Sequence, residues 1–401
     1  MMEYRFSFRT GRLQAPGVPG ILKLQGGSGR VVSLAGELPA ENMFPPEALR
    51  EAVNRALGAD GGSLRHGWPE GCLPLREQLC ERMTAKGMPV EPDQMLLTTG
   101  SRQAIDLAVR VLTDPGDTVL VDNPTHPACL QLFGLNGLQV AAAGSDADGI
   151  RLEDAERLMK ETKPRLVYAM PTFGNPTGRV WSPGRRRGLL ELCREHGIPI
   201  IEDDPYGDLK FDADAVYPTI CSLDGRTDGG HVLYIGTFSK TAAPLLQTGW
   251  VIGDRTVIRN MAKAQQAAGP HAGPLDWHAF AQLLRHYPLD AHIRAVAAEY
   301  GARMRRMQKL LVQRMPEGVA WAEPKGGMLI WLELPDGLDA EALLRAAVPK
   351  GVTFVPGASF YAGTPKRNTA RLSLAGVPDE RMAAGVERLA EAIGEFTARS
   401  M

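Results

Sequence analysis

The stretch Ile198–Leu209, IPIIEDDPYGDL, decides the fold class. It opens on an apolar run without alternation, as a strand buried on both faces requires, and ends abruptly on Glu202, Asp203 and Asp204 before Pro205. Runs of this kind belong to parallel sheets covered by helices on both sides. One of the acids has an ordinary role open to it: Asp204 can cap a helix whose first residue is Pro205. Asp203 has no such outlet. A carboxylate at the buried end of a parallel strand needs a cationic partner.

Working outward, QMLLTT, TVLVDN, LQVAAAG, RLVYAMP, VLYIGTFS and GWVIGD are further short apolar runs, which brings the strands to seven. Periodic segments separate several of them; in SRQAIDLAVRVL, Ile105, Ala108, Val109 and Leu112 share one helical face. The expected architecture is α/β, a mostly parallel seven-stranded sheet with helices on both faces, over residues 46–283. Beyond that the pattern changes to a long helix, then strands and helices in GGMLIWLELP, DAEALLRAAV and TARLSLAG, which predicts a smaller α+β domain over residues 284–401. Residues 1–45, rich in Gly and Pro, are expected to pack with that domain. A chain of 401 residues exceeds what one hydrophobic core supports, in keeping with this division.

Charge is balanced, 45 basic against 46 acidic residues, so no electrostatic footprint points to nucleic acid or an anionic membrane. Arginines interrupt the start of the chain where a signal peptide needs an apolar core, and no stretch reaches membrane-spanning length, so a cytoplasmic location is expected. Five scattered cysteines without a C-x-x-C pair read as reduced structural thiols. No H-E-x-x-H occurs, and no metal is expected. Small-molecule chemistry is the favoured class.

The chemistry-bearing residues gather at strand ends. TTGSRQ places Gly100 and Ser101 between a strand and a helix, where free N–H groups and the helix dipole hold a phosphate, although Ser101 as an ordinary helix cap explains the same residues. MPTFGNPTG leaves Asn175 among turn residues after a buried strand. In YIGTFSKTAAPLLQTGW, Lys240 follows an apolar run and sits among Thr237, Ser239, Thr241, Ala242 and Ala243, small enough to admit a flat ligand. Lysine becomes a nucleophile only when its neutral form is favoured. A phosphate cradle, an Asn, a buried Asp and a Lys, each at the end of a separate strand, match what pyridoxal phosphate needs: anchor, hydroxyl partner, ring-nitrogen counter-ion and Schiff base.

With these residues in order, the chain resembles the fold-type I, class I/II aminotransferases that depend on pyridoxal 5'-phosphate. Within them it is most similar to the group containing 2-aminoadipate aminotransferases and the aminotransferase domains of MocR-like regulators. The motifs TTGSRQAIDL, PTFGNPTG, EDDPYGDL, GTFSK and PKGGMLIWLELP occur in family order over nearly the whole chain. The resemblance implies that Lys240 holds the cofactor and moves the proton, that Asp203 pairs with the ring nitrogen, and that Asn175 and Tyr206 meet the ring hydroxyl. It implies phosphate contacts from Ser101, Thr237 and Ser239, and a bidentate grip by Arg371 on the substrate α-carboxylate. Alternation in TARLSL reads Arg371 differently, as an outward surface residue. Gly326 and Gly327 are read as serving a close turn.

Several positions depart from the family. Gln247 stands where an arginine pairs with the cofactor phosphate, and Arg102 is a candidate to supply the missing charge. His66 replaces a tyrosine that reaches the partner subunit's phosphate, and His126 replaces an aromatic ring that stacks on the cofactor. An arginine frequent in the family is replaced by Pro19 or Gly20. Glu37 replaces a glycine near the substrate entrance, where it either favours a cationic substrate side chain or turns to solvent. The activity implied is transfer of an amino group from an L-amino acid to a 2-oxo acid by a homodimer. A lyase, cyclase or oxidase of specialised amino-acid metabolism on the same fold is the alternative.

Overall fold

In the computed structural model, which describes residues 2, 4–7, 9–12, 31–37, 39–58, 68–269 and 274–400, the apolar runs become strands of one large sheet. The strands in chain order are β1 (Val32–Ser33), β2 (Met95–Thr98), β3 (Thr118–Asn123), β4 (Gln139–Asp146), β5 (Gly149–Ile150), β6 (Leu166–Ala169) and β7 (Ile200–Asp203). They continue with β8 (Val232–Thr237), β9 (Gly249–Ile252), β10 (Ala320–Trp321), β11 (Leu329–Glu333), β12 (Val352–Thr353), β13 (Val355–Pro356) and β14 (Thr369–Ser373). The large sheet has eight members in the order β2-β9-β8-β7-β6-β3-β4-β5. Seven are the strands the sequence predicts. The eighth, β5, is a two-residue strand turned back antiparallel on β4.

The pairs β3/β4, β3/β6, β6/β7 and β7/β8 are parallel, and β9 runs antiparallel between β2 and β8. Neighbouring residues along each strand enter opposite apolar clusters: Ile201, Leu233, Ile235 and Tyr168 join one, Ile200, Val232, Tyr234 and Val167 the other. Burial on both faces is why these strands read as continuous apolar runs rather than as alternation. The helix Ser101–Leu112 buries Ala104, Ile105, Ala108 and Val109 against the first cluster, which is the face its periodicity predicts.

That first cluster continues into the core of a second, four-stranded antiparallel sheet, β10-β11-β14-β13. The 26-residue helix Leu289–Arg314 packs in the same cluster through Val296, Tyr300, Met304 and Met307. The N-terminal segment runs along this second unit: β1 pairs parallel with β12, and Ser373 donates from its backbone N–H to the Leu34 carbonyl at 2.8 Å. Ala40 N–H donates to the Tyr300 hydroxyl at 3.2 Å, which fixes the path of residues 34–40 past the large sheet. Two further bonds, Thr125 N–H to Phe360 O at 2.8 Å and Ala362 N–H to the Asn123 side-chain Oδ1 at 3.2 Å, join the end of β3 and the loop after it to the segment before β14. All five cysteines are buried and free. Among the described residues, no helix is long and apolar enough to cross a membrane.

One expectation fails directly after β7. No helix begins at Pro205; residues 205–208 form a bend and turn, and Asp204 instead accepts from the Tyr234 hydroxyl at 3.0 Å. A side chain at Gly207 would lie 2.4 Å from the Asp204 carboxylate, so the chain folds back tightly at this point. The turn brings Tyr206 to the end of the sheet, where a helix would have carried it away.

Candidate active site

Because β9 alone among the central strands runs backwards, its start lies at the same edge as the ends of β2, β7 and β8. That edge collects Gly100 and Ser101 after β2, Asp203 on β7, Lys240 just past β8, and Gln247 just before β9. The loops after β3 and β6 add His126 and Asn175.

Asp203 is 4% exposed. Its residue parity on β7 matches Ile201, so its side chain lies on the same face as Tyr168, the register partner of Ile201. Tyr168 donates its hydroxyl hydrogen to Asp203 Oδ2 at 2.8 Å. The other oxygen, Oδ1, is buried without a hydrogen-bond partner. Burial pushes the Asp203 carboxyl up to about 7, against the pull of the Tyr168 hydrogen bond and of the Lys240 and Arg102 charges. Tyr168 is the residue that sequence reasoning missed; the one available signal was a phenol inside an otherwise aliphatic strand.

The flanking acids have separate employment. Glu202 has the parity of Ile200 and points to the other face, where Oε1 and Oε2 accept from the Ile220 and Cys221 N–H groups at 2.8 and 2.9 Å. Those are the first two residues of the short helix Ile220–Asp224. Asp203 and Asp204 each keep one buried oxygen without a partner, but Asp204 is bonded to Tyr234 in the opposite cluster, whereas Asp203 shares its face with Tyr168 and its charge acts on Lys240.

Lys240 is half-buried, and Nζ donates to the Glu37 backbone carbonyl at 2.8 Å while lying 5.7 Å from the centre of the Tyr206 ring. Desolvation pushes the amine below its usual pKa; the Arg371 and Arg102 charges add to that, and Glu37 and Asp203 oppose it. This is the direction an amine needs in order to attack carbonyl carbon. Tyr206 is 1% exposed, and burial raises its phenol well above the usual range, so it stays protonated.

Arg371 is fully buried, which corrects the outward placement that alternation suggests. β14 is covered on both faces, all five of its residues being buried between β11 and β13. Nη1 of Arg371 donates to Glu37 Oε1 in a very short ion pair and to Asn175 Oδ1 at 3.1 Å; Nη2 donates to Ala35 O at 2.9 Å. The guanidinium also lies 5.3 Å from the Phe360 ring centre. Glu37 therefore does not turn to solvent. Burial opposes its charge, but the Arg371 and Lys240 charges and the Arg371 hydrogen bond hold its carboxyl well below the usual range. Asn175 Nδ2 donates to the same Glu37 Oε1 at 3.2 Å. Arg186, itself fully buried, clamps this loop by donating to Pro171 O at 2.8 Å and to Thr172 Oγ1 at 3.0 Å. Gly326 packs its bare backbone on the Phe173 ring, where a Cβ would approach to 2.2 Å.

His126 stands at the start of the helix Pro127–Leu135 with Nδ1 buried and unpartnered, and desolvation pushes its pKa down to about 4, so the imidazole is neutral. At the expected phosphate cradle, Gly100 rather than Ser101 is the cap residue, with a φ of 86°. A Cβ on Gly249 would lie 2.7 Å from the Gly100 carbonyl carbon, so both positions hold the backbone close to the helix start. Thr237 Oγ1 and Ser239 Oγ are hydrogen-bonded to each other at 2.9 Å beside it. Arg102 occupies the first turn of the same helix with an exposed side chain. Gln247 is exposed too, in the left-handed region at φ 39°. His66, Pro19 and Gly20 lie outside the described residues.

Comparison with known proteins places this geometry. The family model for aminotransferase class I and II matches residues 34–389. The chain is 36% identical to aromatic-amino-acid aminotransferase 1 of Thermococcus litoralis, over 98% of this chain and 95% of that one. It is 35% identical to 2-aminoadipate transaminase of Thermus thermophilus, over 97% of this chain and 96% of the other. Among solved structures, the kynurenine aminotransferase of Pyrococcus horikoshii superposes with a TM-score of 0.91 at 37% identity, covering 97% of each chain. With a match of this extent, the chain belongs to the class I and II aminotransferases.

Proposed function

We propose that Lys240 is the amine that holds pyridoxal 5'-phosphate in this aminotransferase and carries the proton of the transfer, with Asp203 as the partner of the ring nitrogen. The observation that carries this reading is the pairing of a buried, unpartnered carboxylate oxygen with a lysine amine whose pKa burial pushes down, at the end of one sheet. Bound there, the cofactor supplies an aldehyde carbon for the substrate amine and a protonated ring that draws electrons from the substrate Cα.

The residues divide the remaining work. Asp203 Oδ1, the acceptor without a partner, fits a ring N–H, and Tyr168 holds the other carboxylate oxygen in place. Lys240 Nζ, the amine at this end of the sheet, would take up and return the substrate Cα proton. Asn175 and Tyr206 would hold the ring hydroxyl, and the His126 ring would pack against the cofactor. The Gly100 and Ser101 N–H groups, Thr237 and Ser239 receive the phosphate, with Arg102 as its cation. Arg371 grips the α-carboxylate of the incoming L-amino acid and of the 2-oxo acid. The large sheet over 46–283 and the small unit over 284–401, with residues 1–45 packed on it, then face each other across the site. A cytoplasmic homodimer in which His66 reaches the neighbouring site completes the reading, supported by the family pattern alone.

The test is the visible spectrum of the purified protein. A band that borohydride bleaches is expected in the wild type and missing from Lys240→Ala, which loses transamination by on the order of 10²–10⁴-fold. Amine transfer to 2-oxoglutarate or pyruvate across a panel of L-amino acids checks the reaction. A bleachable band that persists in Lys240→Ala sinks the assignment.

A further inference from the structure

The contact between Glu37 and Arg371 has the chemistry of a bound substrate. Glu37 Oε1 accepts from Arg371 Nη1 and from Asn175 Nδ2, so one carboxylate of the chain itself rests on the group expected to receive the carboxylate of an amino acid, Arg371, and on Asn175 beside it. Lys240 donates to the backbone of the same residue. Arg371 is fully buried and its Nε has no partner, so the guanidinium is not saturated and has a donor left for a second oxygen. A substrate carboxylate cannot join Glu37 there at no cost: two anions around one buried guanidinium repel each other. It has to take Glu37's place.

A space is open to the displaced side chain. Glu37 also lines a cavity of about 1060 Å³ between the N-terminal segment and the second unit. That cavity already carries Glu41, Glu299, Asp379 and Glu380, against Arg303. Arg303 is committed to Glu299 at 3.0 Å and to Asp379 at 3.5 Å. A Glu37 carboxylate pushed into this space finds acidic neighbours and, among the described residues lining it, no uncommitted cation. The group that can neutralise it is brought by the substrate.

We propose that Glu37 determines specificity by occupying the substrate-carboxylate position on Arg371 and Asn175, and that on displacement it favours amino acids with a positively charged side chain over those with a second carboxylate. The inference rests on Arg371 being the α-carboxylate grip. Relatives whose names specify 2-aminoadipate or aromatic substrates are expected to differ from this chain at this point.

Two unreactive ligands of similar length separate the effects in the cofactor-loaded enzyme by calorimetric titration: 5-guanidinopentanoate, with a distal cation, and adipate, with a distal carboxylate. The wild type is expected to bind the first about tenfold or more tighter than the second, because like-charge juxtaposition is the term being read. Glu37→Gln should bring the two within about threefold of each other, chiefly by tightening adipate. Glu37→Gly serves the same purpose without a side chain at the position. Equal affinities in the wild type, or a ratio unmoved by both substitutions, overturn the proposal. Arg371→Gln tells the two assignments apart. If it weakens both ligands while Glu37→Gln leaves their ratio unchanged, the grip stands and only Glu37's role falls. If it leaves both ligands bound as in the wild type, the grip itself is wrong and the proposal goes with it.

Discussion

The two sides of the site keep their charges in opposite conditions. At the ends of β7 and β8, Asp203 is buried with one oxygen unpartnered, and its carboxyl is pushed up to about 7. Lys240 beside it is pushed down. On the facing side, contributed by residues 31–37 and by β14, Glu37 and Arg371 pair with each other and with Asn175 from the loop after β6, and Glu37 is held firmly ionised. On the sheet side a buried carboxylate oxygen lacks a partner. On the facing side Glu37 already rests on Arg371, whose Nε alone is left over, and has to move aside before another carboxylate can use the guanidinium. A buried unmatched carboxylate costs stability, while a buried matched pair costs little until one partner is removed.

The largest break in this comparison comes from removing the carboxylate of the sheet side. Asp203→Asn should lower kcat/KM by on the order of 10²–10³-fold, the scale of losing one group aimed at developing charge. It should also do the reverse to the protein without cofactor. A carboxyl whose folded-state pKa lies near 7, above its usual 3.8, keeps its proton in the fold and releases it on unfolding. Stability therefore falls as pH rises from about 4 towards 7, and Asp203→Asn should flatten part of that fall. Glu202 and Asp122, also pushed up to about 7 by burial, keep the remainder. Melting temperature against pH for both proteins gives the answer; parallel curves would mean that Asp203 is not buried as described.

A smaller effect sharpens the contrast. Tyr168→Phe removes the hydrogen bond that favours the ionised form of Asp203, so its carboxyl moves up further and the fall in stability extends to higher pH. Activity should drop by about tenfold, the low end for a hydrogen bond to a charged group. A loss of activity with the pH dependence unmoved would assign Tyr168 to packing alone.

Which of these residues the sequence reveals follows from how far apart the partners lie. Strands and their ends were legible because both faces of the large sheet are covered, so each strand writes itself as an unbroken apolar run and each exception stands out. Asp203 and Lys240 are such exceptions. Tyr168 was not, because a phenol is apolar enough to pass as core and its partner sits on the adjacent strand. Arg371 misled local reasoning for a related physical reason: alternation in TARLSL assumes one wet face, and β14 has none. Glu37 and Arg371 are 334 residues apart and no periodicity connects them, so their pairing appears only once β1 and β12 have brought the N-terminal segment across the second sheet. Asp204 followed the capping rule in sequence and broke it in structure, because Gly207 permits a turn where a helix was expected.

The smallest expected effect lies at the proposed phosphate cradle, where Gln247 stands at the position that the resemblance gives to an arginine. Gln247 sits at φ 39°, and Gly100 is placed so that an added Cβ would be 3.6 Å from the Gln247 carbonyl oxygen, so the backbone there already approaches the helix start. Arginine tolerates that left-handed conformation no worse than glutamine, both being unbranched at Cβ, so Gln247→Arg changes charge with little change in strain. Exposed ionic contacts contribute about 0.2–1 kcal/mol, so cofactor release should slow by no more than about fivefold. Arg102, exposed in the first turn of the helix Ser101–Leu112, is the cation already near, and its charge is felt at Lys240 and Asp203. Arg102→Gln should speed release in the wild type, yet less so when Gln247→Arg is present, because one phosphate dianion shared by two guanidinium groups gains less from the second. A double-mutant cycle on cofactor release rates measures that difference directly. Strict additivity would show that the two positions do not serve the same anion, leaving the phosphate to the helix N-terminus, Thr237 and Ser239.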